Sequence, residues 1–321
     1  MLPGQTQIGG PNVVAFGGGH GLSATLQALQ LITRNLTAVV TVADDGGSSG
    51  RLRQEVGVLP PGDLRMALSA LCEDTQWGHT WKNALQYRFD TDGPLDYHSM
   101  GNLLITTMWN LLGDEVAGLD WVAKLLRCQG RVLPMAGVPL TISADVKTES
   151  GIKTIVGQSK VASCGEQIID LRLTPDNPPV RPEVIAAIAE ADWLVMGPGS
   201  WYTSVLPHLM LPQIRAAITA SAARKALIMN LSATTNETRG LSVADHASVI
   251  KKYAPEVKFD VVVADPATLD DIDSMEIAAR NLGAELMLRQ VGVGHAVAIH
   301  DPLRLAAAIR DAVEGHLADL Y

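Results

Sequence analysis

Short apolar runs alternate with helix-spaced apolar positions along most of the chain. Asn12–Phe16 is an apolar run that ends in glycines, and Leu22, Leu26, Leu29 and Leu31 follow as anchors of a helix. Thr37–Val42 is a second run rich in β-branched residues, the pattern of a strand buried on both faces of a parallel sheet. Strand, glycine turn, helix and strand thus succeed one another within about thirty residues, the size of one βαβ unit.

From 51 to 130 the spacing turns mostly helical. Pro60-Pro61-Gly62-Asp63 reads as a turn in which Asp63 caps a helix over Leu64–Cys72, and Trp77–Arg88, Ser99–Leu112 and Leu119–Leu126 read as further helices. After Gly130 the runs Arg131–Met135, Val138–Val146, Gly151–Ser159 and Ile168–Leu173 show partial alternation of period two, with Thr148-Glu149-Ser150-Gly151 as a hairpin turn. They predict a β-rich insert over 131–175, closed by Asp176-Asn177-Pro178-Pro179. Helix–strand alternation then resumes. Pro182–Ala191 leads to Asp192–Met196, Gln213–Ser221 to Ala226–Leu231, and Val243–Tyr253 to Phe259–Ala264, with a last helix over Leu303–Ala318. The whole predicts an α/β fold: a parallel, doubly wound sheet formed by 12–130 and 176–321, with a helical segment and the insert packed on it.

Composition narrows the ligand. The 321 residues are 47% hydrophobic, enough for a large core, and carry a net charge of −9. A general nucleic-acid binder would show a basic excess, so nucleic acid is not an expected partner. Any anionic ligand must be held by backbone N–H groups, helix N-termini and a few arginines. Cys72, Cys128 and Cys164 lie far apart without a CxxC pair, which argues against zinc or a disulfide framework and suits a reducing cytoplasm. Met1–Pro11 has no Lys or Arg, unlike a signal peptide, and no run approaches the roughly 18 apolar residues of a membrane span.

The candidate chemistry lies on glycine-rich turns. Gly17, Gly18, Gly19, His20 and Gly21 follow a strand and open a helix, where free N–H groups and the helix dipole favour a phosphate. The turn is neither a strict GxGxxG, because Leu22 takes the third glycine position, nor a Walker A motif, because no Gly-Lys-Ser/Thr follows; this disfavours a plain NAD-dependent oxidoreductase. Asp44 and Asp45 sit just past the second strand, where an acid holds ribose hydroxyls or a Mg²⁺ ion against a phosphate. Gly46, Gly47, Ser48, Ser49, Gly50 and Arg51 add hydroxyls and a cation beside them, read as a ligand loop. Asp63 and Arg65 follow, although a capping Asp and a helical Arg are ordinary by themselves. His98 and Asn102 stand at another helix entrance, either touching phosphate or simply capping. Gly197, Pro198, Gly199 and Ser200, with Thr203 and Ser204, form a second glycine turn at a strand's carboxyl end, and Asn230 ends the next strand beside Ser232. Trp193 and Trp201 read as packing residues and the cysteines as inert core thiols.

Together VAFGGGHGL (14–22), TVADDGGSSGR (41–51), LPPGDLR (59–65), His98–Asn102, GRVLP (130–134) and MGPGSWYTSV (196–205) resemble the YvcK-type gluconeogenesis factors of the 2-phospho-L-lactate transferase superfamily. His20 and Leu64-Arg65-Met66 resemble the actinobacterial branch. The resemblance implies a Rossmann-like three-layer α/β fold with an added β-rich part, and a cytoplasmic protein needed for cell shape and for growth on gluconeogenic carbon sources. It also implies binding of a nucleotide sugar such as UDP-N-acetylglucosamine, with NAD or GDP as other candidates, and the motif positions above, Gly17 to Leu22 included, as the binding residues. Its transferase relatives use Mg²⁺ to move a phospholactyl group from a guanosine-diphosphate carrier, so a Mg²⁺-dependent transferase is the alternative to a binding or regulatory protein. A homo-oligomer is a further expectation. Two departures stand out. Ser232–Thr238 (SATTNET) lacks the Pro-Gly that many members carry, and Ile299-His300-Asp301 has Ile where many have Arg.

Overall fold

The structure is a computed structural model that describes residues 9–232, 236–294 and 297–315. The strands are β1 (Val13–Gly17), β2 (Leu36–Val40), β3 (Arg131–Pro134), β4 (Thr141–Thr148), β5 (Gly151–Val156), β6 (Gln167–Thr174), β7 (Trp193–Met196), β8 (Arg224–Ile228), β9 (Val261–Ala264), β10 (Glu285–Leu288), β11 (Gly292–Gly294) and β12 (Val297–His300). Seven of them form one parallel sheet in the order β10-β9-β8-β7-β1-β2-β3. Its central strands, β1 and β7, are apolar at nearly every position because helices cover both faces. Val13 of β1 pairs with Leu36 on one side and Trp193 on the other.

The chain grows from β1 toward β2 and β3, then from β7 in the opposite direction. Right-handed crossovers therefore send the two sets of helices to opposite faces. Gly19–Leu29 packs with Gly62–Leu71 and, at the end of the chain, with Pro302–Glu314. On the other face Pro182–Glu190 packs with Pro212–Ala220, and Val243–Tyr253 with Ile272–Asn281. The expected Rossmann-like three-layer fold is present.

Three local expectations change. The run at 131–135 is not part of the β-rich insert: β3 pairs with β2 at the edge of the parallel sheet, so the antiparallel strands begin at β4. These run β5-β4-β6, and the alternating apolar side of β4 (Ile142, Ala144, Val146) joins the main core. The stretch after Asp45 is not a loop, since Gly47–Val56 is helical. Asp63 does not cap its helix either. Pro61 holds the cap position of Gly62–Leu71, and Asp63 lies in its first turn. The alternation also missed the helix Ile272–Asn281 with β10, and the hairpin β11–β12. The expected last helix is described as Pro302–Glu314; its predicted end at 316–318 lies outside the described residues.

Candidate functional site

Strand order reverses between β1 and β7, so the segments leaving their carboxyl ends part and open a crevice, the usual ligand position in such sheets. Here it has a volume of about 390 Å³. Gly18, Gly19, His20 and Gly21 form one side, and Pro198, Gly199, Ser200 and Ser204 the other. The two turns touch. A Cβ at Gly21 would lie 2.3 Å from the Pro198 carbonyl oxygen, and one at Gly18 would lie 2.5 Å from an Asp63 carboxylate oxygen. These glycines are therefore set by close approach of backbone to backbone and to Asp63. The helix Gly19–Leu29 starts from extended Gly18, which has no side chain to cap it; the Asp63 carboxylate takes the Gly19 N–H, and the N–H groups that follow in the first turn are left for an anion.

Side chains brace the second turn from three directions. Asn230 accepts a hydrogen bond from Gly199 N and donates one to Gly199 O, both at 2.9 Å. Thr25 Oγ1 donates to Gly197 O at 2.8 Å. Beneath the single π-helical turn Trp201–Val205, the buried Glu237 carboxylate accepts from Tyr202 N at 3.3 Å and Thr203 Oγ1 at 3.2 Å. Burial pushes the Glu237 carboxyl up to about 7 against these bonds. Trp201 is fully buried, with its Nε1 donating to His246 O, in keeping with a packing role.

Asp63 is the acid of the crevice. Burial, and then the neighbouring Asp44, raise its carboxyl to about 7, opposed by a hydrogen bond from the Gly19 backbone and by Arg65. Asp44 accepts from Gly46 N at 2.9 Å. Asp45 turns elsewhere: its Oδ1 accepts from Ser159 N at 2.9 Å and Ser159 Oγ at 2.7 Å. It thereby ties the short helix Gln158–Ala162 of the β-rich part to the end of the parallel sheet, and Gln158 lines the crevice.

Ser48, Ser49, Arg65, His98 and Asn102 form a buried polar cluster instead of lining the crevice. Ser48 Oγ lies 3.0 Å from His98 Nδ1 and accepts from Asn102 Nδ2 at 3.1 Å, and Asn102 also reaches Ser49 Oγ at 3.4 Å. Arg65 Nε donates to Asn102 Oδ1 at 2.9 Å and its Nη1 to Gln86. Burial first, then Arg88, lowers the Arg65 guanidinium to about 10. Burial also lowers His98. Arg51 donates to the Pro94 and Asp96 carbonyls. Gly17 ends β1, Leu22 is a core side chain, and a Cβ at Gly50 would meet the Asp45 carbonyl oxygen at 2.1 Å.

Sequence reasoning missed Ala24, Gln158, Leu231 and Ala298 as crevice residues and marked Ile299 and His300 only as a departure from the family pattern. Gln158 and the β12 residues arrive from the antiparallel part and the terminal hairpin, and no turn motif marks them. Of the SATTNET stretch, Ala233–Thr235 lies outside the described residues, whereas Glu237 is the buried acid under the second turn.

The family model for "2-phospho-L-lactate transferase CofD" matches residues 13–285. A Mycobacterium leprae protein whose name carries the words gluconeogenesis factor is 43% identical over 309 residues, covering 93% of this chain and 85% of its own. The gluconeogenesis factor of Halalkalibacterium halodurans is 38% identical over 288 residues, 88% of this chain and 87% of that protein. A crystal structure of a upf0052 family member from Bacillus halodurans superposes with a TM-score of 0.83 at 34% identity, covering 95% of this chain and 100% of that one. This chain belongs to the 2-phospho-L-lactate transferase CofD family and stands in it beside the gluconeogenesis factors.

Proposed function

We propose that this protein is a binding and regulatory member of its family that holds a nucleotide sugar, of the UDP-sugar type, by its diphosphate in the β1–β7 crevice. One observation carries the reading: two glycine turns press together at the switch point, beside the N-terminus of an eleven-residue helix. Backbone N–H groups and the helix dipole stabilise an anion there without a dedicated cation. The relatives named gluconeogenesis factor support a role in carbon metabolism, and the resemblance extends it to cell shape and to the cytoplasm. Among the described residues no helix is long and apolar enough to cross a membrane. Titration calorimetry with UDP-N-acetylglucosamine, UDP-glucose, NAD and GDP tests the reading. Micromolar binding of a uridine-diphosphate sugar is expected, and heat-silent titrations with all four would overturn it.

A second reading, a Mg²⁺-dependent transferase of phosphorus-containing groups, is favoured by Asp63 and Asp44. The Asp44 carboxylate disfavours ionisation of Asp63, a strain that a divalent cation relieves. Among the described residues no group of three or more His, Cys, Asp or Glu gathers for a metal. A Mg²⁺ ion on Asp44 and Asp63 would thus share its shell with ligand phosphate and water, and would neutralise charge on a diphosphate leaving group. Asp45, the other acid expected to hold it, is engaged by Ser159. Turnover that requires Mg²⁺ and vanishes in Asp63→Asn supports this reading; Mg²⁺-independent ligand binding with no turnover supports the first.

A further inference from the structure

Two cysteines that lie far apart in the sequence meet in the fold. Cys72 ends the helix Gly62–Leu71, and Cys128 follows the helix Glu115–Leu126 on the way to β3. Both thiols donate to one acceptor, Leu68 O in the last turn of Gly62–Leu71, Cys72 at 3.5 Å and Cys128 at 3.4 Å. The chain is cross-linked on either side of them. Gln129 N donates to Leu71 O at 2.8 Å, and Arg127 Nη1 donates to Glu73 Oε1 at 3.2 Å. Cys128 thus stands opposite Cys72 between two bonds that hold their neighbours in register. Both are half-buried, not sealed in the core as the sequence suggested. Capping the helix end explains the two bonds to Leu68 O but not the choice of sulfur, since a hydroxyl is the better donor. The thiols also differ. The Cys128 thiol, donating to the Cys72 sulfur, and then Lys82 draw Cys72 below its ordinary range against burial; the same contact and burial push Cys128 up. Cys164 lies elsewhere, its thiol on the Glu166 carbonyl at 3.6 Å.

We propose that Cys72 and Cys128 form a redox-modification site, a thiol pair that a hydroperoxide converts to a reversible disulfide, with Cys72 oxidised first and Cys128 resolving it. The Cys72 thiolate attacks the terminal oxygen of the hydroperoxide. The O–O bond breaks, Cys72 becomes a sulfenic acid, and the alcohol or water leaves after taking up a proton. The Cys128 sulfur then attacks the Cys72 sulfur. The S–S bond forms, the S–O bond breaks, and the hydroxyl leaves as water with the Cys128 proton. The two thiols lose two electrons in all, and the hydroperoxide gains them. Two sulfurs that share an acceptor oxygen and bond to each other need little more than side-chain rotation to join. In a reducing compartment such a pair rests as thiols, and its disulfide is transient. The site lies at the amino end of β3, away from the carboxyl ends that form the crevice. The bond would tie the helix whose first turn carries Asp63 to the edge strand of the sheet.

The test treats the reduced whole protein with hydrogen peroxide, counts free thiols and maps the peptides by mass spectrometry. Loss of two of the three thiols is expected, with Cys72 joined to Cys128 within one chain and both thiols recovered by dithiothreitol. Cys128→Ser is expected to stop at a Cys72 sulfenic acid that dimedone captures. Cys72→Ser is expected to give neither a disulfide nor a dimedone adduct at Cys128. Cys164→Ser, outside the pair, is expected to form the same link as the native protein. The native and Cys164→Ser proteins decide the matter even where a serine in the pair prevents folding. Three free thiols after peroxide, a link that uses Cys164, or capture of Cys128 in Cys72→Ser would overturn the proposal.

Discussion

The Asn230 side-chain amide pairs with the backbone of Gly199 in both directions, Oδ1 accepting from N and Nδ2 donating to O, each at 2.9 Å. The end of β8 thus dictates the shape of the turn that follows β7. Asn230→Asp keeps the acceptor, loses the donor and sets a carboxylate against the Gly199 carbonyl. We expect a loss of about 1–3 kcal/mol in stability and at least a tenfold loss in ligand affinity. Denaturant titration and calorimetry measure the two; an unchanged affinity would show that the turn does not shape the binding site.

Gly21 faces Pro198 across the crevice floor. With a Cβ only 2.3 Å from the Pro198 oxygen, Gly21→Ala must push the two turns apart, costing roughly 1–3 kcal/mol and most of the ligand binding. Gly93→Ala is the control, since a Cβ there meets nothing within 4 Å. Its melting temperature should match the native protein's.

Glu237 gives a pH dependence with a defined sign. Its carboxyl is raised from 4.5 to about 7 in the folded chain, chiefly by burial. Below pH 4.5 it is protonated folded or unfolded and costs nothing. Between about 4.5 and 7 the folded state binds the extra proton, so this group's contribution to stability falls as pH rises, and it is flat above. Glu237→Gln keeps an oxygen for Tyr202 N, turns an N–H toward Thr203 Oγ1, whose hydroxyl can accept it, and removes the titration. Relative to native, the variant should gain up to about 3 kcal/mol across that window. Melting temperatures of the two proteins that run parallel from pH 4.5 to 7 would contradict this.

Asp45 and Ser159 act as one unit across the junction of the sheet and the β-rich part. Asp45→Asn and Ser159→Ala should each weaken binding by loosening the helix that carries Gln158, and the double variant should be no worse than either single one. A double-mutant cycle should give a coupling of about 1 kcal/mol. Strict additivity would separate Asp45 from Ser159 and return it to a direct ligand or metal role.

The turns that mattered most were legible because glycine is local information. Gly18–Gly21 and Gly197–Gly199 follow apolar runs, and backbone crowding at a strand's carboxyl end admits little else. The stretch Asp44–Arg51 was harder to read. Its glycines and serines suggested a loop, but Gly47–Val56 is a helix that turns Ser48 and Ser49 inward onto His98 and Asn102. Long-range hydrogen bonds overrode the local propensity there.

By itself the sequence determined the layered α/β fold, through the alternation of buried strands and amphipathic helices, and the two phosphate-sized turns. Only the tertiary structure decided which residues share the crevice. Arg65, His98 and Asn102 bond within a buried cluster and Arg51 to the Pro94 and Asp96 carbonyls, while Gln158 and Ile299 reach the cavity from a short helix of the antiparallel part and a terminal hairpin. Period and turn chemistry are set by neighbours along the chain. Which side chain faces a ligand is set by how distant segments pack, and that packing has no local signature.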